Sequence, residues 1–81
     1  MSDGDEMLTD WFRLIVDLER SGYKQAEIAL SVDAPRTTML GWKQGAEPKH
    51  KDGERLIDLW CRVMGKGRDH LPMIAALDWR R

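Results

Sequence analysis

Gln25-Ala26-Glu27-Ile28-Ala29-Leu30-Ser31-Val32-Asp33-Ala34-Pro35-Arg36-Thr37-Thr38-Met39-Leu40-Gly41-Trp42-Lys43-Gln44-Gly45 is the stretch on which the fold of this chain turns. At a helical period, Ile28, Ala29 and Val32 fall on one side of a first short helix, about Lys24 to Val32. Met39 and Trp42 fall on one side of a second, about Pro35 to Gln44. Asp33-Ala34 forms the corner between them, and Asp tolerates left-handed backbone better than most residues. Pro35 suits a first helical position, where its missing N–H is no loss. Gly45 suits the left-handed stop that other residues resist. Helices this short are marginal alone and need partners to pack against.

Those partners are expected on both sides. Leu8, Trp11, Phe12, Ile15 and Leu18 recur at three- and four-residue steps and predict a first helix from about Met7 to Arg20, ended at Gly22. Leu14 and Val16 lie off that stripe and form a second candidate contact surface. A fourth helix, about Asp52 to Met64, carries Leu56, Ile57, Leu59, Trp60, Val63 and Met64, and Gly65-Lys66-Gly67 breaks it. Asp69 can cap a short fifth helix holding Leu71, Met73, Ile74 and Leu77, with Pro72 in its first turn. With no β-alternation and no internal repeat, the expected fold is all-α with five helices. Residues 1–6 are expected to fray and 7–81 to form one domain, with 68–81 as a dimerisation helix and tail.

Composition narrows the class. Eighty-one residues make one small domain whose core is thin, so association with a second copy would help stabilise it. A third of the residues are charged, and there is neither a membrane-length apolar run nor a signal-peptide pattern, so a cytoplasmic protein off the membrane is expected. Cys61 is the only cysteine and excludes an internal disulfide; with only His50 and His70 beside it, no metal site is expected. Free Cys61 in an apolar stretch is expected to pack as a small hydrophobe. No carboxylate pair, nucleophile–base set or phosphate-cradling loop is present, so neither an enzyme nor a cofactor or small-molecule ligand is expected. The net charge of −1 is unevenly spread: residues 1–19 hold six acids and one base, whereas residues 20–51 hold six bases and three acids. The positive excess falls on the stretch quoted above, and distribution matters more than the total for a phosphate-facing surface.

The order Gln25, Ile28-Ala29, Asp33-Ala34, Arg36-Thr37-Thr38, Trp42, Gly45 and Pro48, followed by Leu56 and Leu59, resembles the Cro and lambda-repressor-like helix-turn-helix regulators of phages and bacteria. The resemblance spans about residues 8–64. It implies a lambda-repressor-like DNA-binding domain with the helix-turn-helix at helices two and three, acting as a Cro-type phage or prophage repressor on a palindromic operator of double-stranded DNA. Transferred position by position, Arg36, Thr37 and Gly41 would face base edges, Arg36 being suited to guanine O6 and N7. Gln25, Lys43, Gln44, Lys49 and Lys51 would meet phosphates, each adding about −0.9 to the slope of log K against log salt. Two half-sites one DNA turn apart imply a homodimer, with Leu71, Ile74, Leu77 and Trp79 as its interface. The alternative is a helix-turn-helix-shaped protein-interaction module, such as an antitoxin or a phage packaging or replication adaptor, favoured by the acidic first helix with Asp10, Asp17 and Glu19.

Overall fold

A computed structural model describes residues 7–75 of the chain. It holds four α-helices and one short two-stranded sheet: β1 (Met7–Thr9), α1 (Trp11–Arg20), α2 (Gln25–Val32), α3 (Arg36–Lys43), α4 (His50–Met64) and β2 (Met73–Ala75). A single 3-10 turn, Arg68–His70, lies between α4 and β2.

The helix boundaries follow from local chemistry. Asp10 starts α1, its carboxylate accepting the Arg13 backbone N–H at 3.0 Å, which satisfies one of the free donors of the first turn. Ahead of α2 the Lys24 backbone N–H donates to the Glu27 carboxylate at 2.8 Å. α2 stops because Asp33 turns left-handed, at φ 57° and ψ 48°, the only non-glycine residue with positive φ among those described. The guanidinium of Arg55 on α4 donates to the Val32 carbonyl at 3.2 Å and lies 3.8 Å from the Asp33 carboxylate, tying that corner to α4. Pro35 stands extended just ahead of α3, which begins at Arg36 rather than at the proline. α4 begins at His50, two residues before the expected Asp52, and ends on Gly65 at φ 67°.

α3 packs on α1 and α2, and α4 spans α1 and α2 from the other side. Leu14, Ile15, Leu18, Ile28, Val32, Met39 and Leu56 are wholly buried where these helices meet, with Trp42, Trp60, Ala29, Ile57 and Leu59 nearly so. The indole N–H of Trp60 is not stranded in this core, since it donates to Asp17 at 3.2 Å. Half-buried Cys61 packs against the same cluster.

Three expectations are corrected. The fold is not all-α with five helices. Pro72 forces Leu71 into extended backbone, with ψ 142°, and the chain continues into β2 instead of a fifth helix. β2 pairs antiparallel with β1, in the register Met7↔Ala75, Leu8↔Ile74 and Thr9↔Met73, and the Asp10 N–H closes the pair onto Pro72 O at 2.9 Å. Residues 7–9 are therefore strand, and α1 begins at Trp11, four residues after the expected Met7. Finally, the apolar stripe of α1 runs through Leu14 rather than Phe12: Leu14 is fully buried and so is no contact surface, Val16 is half-buried, and Phe12 is half-exposed. The predicted frayed residues 1–6, and Leu77 and Trp79 of the predicted dimer helix, lie outside the described residues.

Candidate nucleic-acid interface

Burial of Met39 and Trp42 decides what α3 presents to solvent. With residues about 100° apart around a helix, the side opposite these two carries Thr37, Leu40 and Gln44, all exposed. Arg36 and Lys43 flank that strip on one edge, and Thr38 and Gly41 flank it on the other.

The two edges differ electrostatically. Thr38 and Gly41 border a shallow cleft of about 460 Å³ in which the carboxylates of Asp33, Glu47 and Asp52 outnumber the ammonium of Lys49. Gly41 faces the loop beyond α3: a Cβ there would sit 3.8 Å from that of Ala46, and the Gly41 carbonyl accepts the Ala46 N–H at 2.9 Å. Gly41, one turn after Thr37 and about 40° around the helix from it, borders the outward strip on its cleft side.

On the opposite edge three helix ends converge on one carboxylate. Glu19, near the end of α1, accepts the Gln25 side-chain amide at 3.0 Å and the Lys43 ammonium at 3.0 and 3.3 Å. Gln25 opens α2 and Lys43 closes α3, so two of the residues assigned to phosphate by sequence are brought together and already held by an internal anion. Partial burial pushes the Glu19 carboxyl up, but the amide of Gln25 and the charge of Lys43 outweigh it and hold the group below its ordinary value. A carboxyl depressed on folding stabilises the fold above its unfolded pKa, and that contribution is lost as pH falls through the lower folded value. Glu19→Gln should therefore cost about 1 kcal/mol in urea unfolding at pH 7. The gap from wild type should narrow as pH falls below the ordinary carboxylate range; an undiminished gap in acid would assign the loss to packing instead of charge.

Lys49, His50 and Lys51 are all exposed at the start of α4. A helix N-terminus is the positive end of its dipole and disfavours cations, so lysines on either side of His50 add to a field already suited to anions. Asp52 in the same turn offsets part of it. Leu71, assigned to a dimer face, is half-buried against the chain's own core, and Ile74 lies in β2 opposite Leu8.

Two residues of this surface carry no motif. Leu40 is visible only by rotating α3 from its buried pair. Glu19 needs the folded convergence of α1, α2 and α3. Among the described residues no helix is long and apolar enough to cross a membrane, and no group of three or more His, Cys, Asp or Glu residues is placed to hold a metal ion. No protein-family model, curated protein or solved structure matches this chain.

Proposed function

We propose that this chain is a small sequence-specific regulator of transcription that binds double-stranded DNA, with α2 and α3 as a helix-turn-helix and α3 as the helix that enters the major groove. The observation that carries this reading is the outward strip of α3. An eight-residue helix is anchored by Met39 and Trp42 and turns Arg36, Thr37 and Gln44 to solvent at its two ends. Lys49 and Lys51 stand at the start of the next helix, where phosphates flanking the groove would be met. The carboxylates of Asp33, Glu47 and Asp52 in the cleft beside Thr38 and Gly41 weigh against phosphate there, and Lys49, which lines the same cleft, offsets part of that repulsion.

In this reading the protein is a repressor of the Cro and lambda-repressor type, from a phage or prophage, working in the cytoplasm without enzymatic activity. It blocks polymerase by occupying an operator as a homodimer, one copy per half-site. Gln25 and Lys43 reach phosphate only by sharing their donors with Glu19, so Lys49, Lys51 and Gln44 supply most of the salt-dependent affinity. Selection of bound DNA from a random pool at two salt concentrations tests the reading. The expected product is a two-fold-symmetric site bound with a clear salt dependence. Arg36→Ala should weaken that binding by about 1–2 kcal/mol and relax the preference for one guanine per half-site. No enrichment, or binding indifferent to Arg36, refutes it. The exposure of Leu30 (81%) and Phe12 (50%) favours, as the second reading, a protein-binding module. That reading takes over if no DNA is selected and a defined protein binds in a fixed ratio.

A further inference from the structure

We infer that Leu40 reads the methyl group of a thymine, and that the DNA half-site places this thymine one or two base pairs from the guanine met by Arg36. The inference rests on the DNA-binding reading above and adds to it a chemical feature of the bound sequence.

A single exposed leucine is ordinary on a protein surface, so exposure alone decides nothing. Position does. Leu40 is 37% exposed at the middle of the outward strip of α3, three residues after Thr37 and four before Gln44. The other large apolar side chains exposed among the described residues, Met7, Phe12, Leu30 and Met73, all lie on other elements. Met39 and Trp42 already fill the buried side of α3, and Leu40 points away from them, so the core gives no reason for an apolar residue there. A polar side chain at this place would hydrogen-bond base edges; an aliphatic one can gain only from apolar surface. Within the major groove the one apolar feature is the C5-methyl of thymine.

Spacing fixes where that thymine lies. Four residues of helix advance about 6 Å from Arg36 to Leu40. Base pairs are stacked about 3.4 Å apart. A helix lying along the groove therefore separates the two contacts by one or two base-pair steps. Shorter Thr37, one residue after Arg36, reaches the base pair between or beside them.

The test uses the full chain and the DNA selected as above. Each selected thymine is replaced in turn by deoxyuridine, which keeps every hydrogen-bonding group and lacks only the methyl. Wild-type protein should bind one such replacement, one or two steps from the conserved guanine, about fourfold more weakly, the loss expected for one buried methyl. Leu40→Ala should bind the thymine and uracil sites equally, with circular dichroism unchanged because the side chain is off the core. If wild type binds all the uracil sites as tightly as the thymine site, the inference is wrong while DNA binding stands. It is also wrong if Leu40→Ala keeps the fourfold difference, which would assign the methyl to Thr37. If no DNA is selected at all, the regulator reading falls and this inference with it.

Discussion

Trp42→Ala is expected to destabilise the protein by about 3–5 kcal/mol. Trp42 is 3% exposed on α3 and belongs to the same buried cluster as Met39, Leu56 and Trp60. Met39 and Trp42 are the only buried side chains of α3, and Lys43 adds its ion pair with Glu19 at the end of the helix. Removing the indole leaves a cavity that Met39 and the helix ends cannot fill without moving α3 itself. A natural domain is stable by about 5–15 kcal/mol, and one this small belongs at the lower end. The variant should therefore be largely unfolded at 37 °C and show a lowered urea midpoint at 10 °C with the slope of the transition unchanged. Trp42→Phe keeps an aromatic ring in the site and should recover more than half of the loss. DNA binding by Trp42→Ala should fall in proportion to the unfolded fraction. A midpoint displaced by less than about 1 kcal/mol would mean that Met39 alone anchors α3, and that the outward strip is less firmly set than the burial of Trp42 implies.

The middle of the chain was far more legible than its ends, for a physical reason. From Gln25 to Gly45 the local signals agree. Ile28, Ala29, Val32, Met39 and Trp42 keep a helical period, Asp33 suits a left-handed residue, and Gly45, just past α3, has φ 108°. Each is decided within a few residues, so sequence suffices. β1 and β2 are three residues each and pair across more than sixty intervening residues. Periodicity cannot be read in three residues, and a ladder between distant segments leaves no local trace. The two hints that existed were Asp10, a good cap for a helix starting at Trp11, and Pro72, which bars its predecessor from helix. In α1 both Phe12 and Leu14 lie within reach of the stripe through Trp11, Ile15 and Leu18. Which of them turns inward depends on the neighbour across the interface, and that is tertiary information.

The candidate interface divides in the same way. Arg36 and Thr37 follow from place alone, since they open α3 beyond the corner. Gln25 and Lys43 looked free because each lies eighteen residues from the other and their common partner, Glu19, is on a third helix. Charge counted along the sequence credits both to a positive surface. Folding withdraws most of one ammonium from it.

Gly53→Leu is expected to cost about 2–3 kcal/mol, against the direction set by helix propensity. Glycine in a helix is worse than alanine by about 1 kcal/mol, so any side chain at this position should help if the space were open. It is not open. Gly53 is buried in the first turn of α4, and a Cβ built there would stand 3.1 Å from Cη2 and 3.5 Å from Cζ2 of the Trp11 indole. Trp11 is the first residue of α1, two residues after β1, and packs half-buried against the core. A methyl asks the ring to yield by a few tenths of an ångström, and the gain in propensity offsets the strain, so Gly53→Ala should be within about 0.5 kcal/mol of wild type. The branched end of leucine has nowhere to go unless the ring leaves. Leaving exposes the indole and pulls on β1, whose pairing with β2 rests on the same short connection through Asp10. The expected readings are a red-shifted tryptophan emission and a lowered urea midpoint in the leucine variant. Trp11→Ala combined with Gly53→Leu should lose less than the two single changes summed, because the leucine then occupies the space the ring gave up. Additive losses would show that ring and glycine do not compete for one volume. A leucine variant more stable than wild type would show that the glycine is kept for something other than room for Trp11.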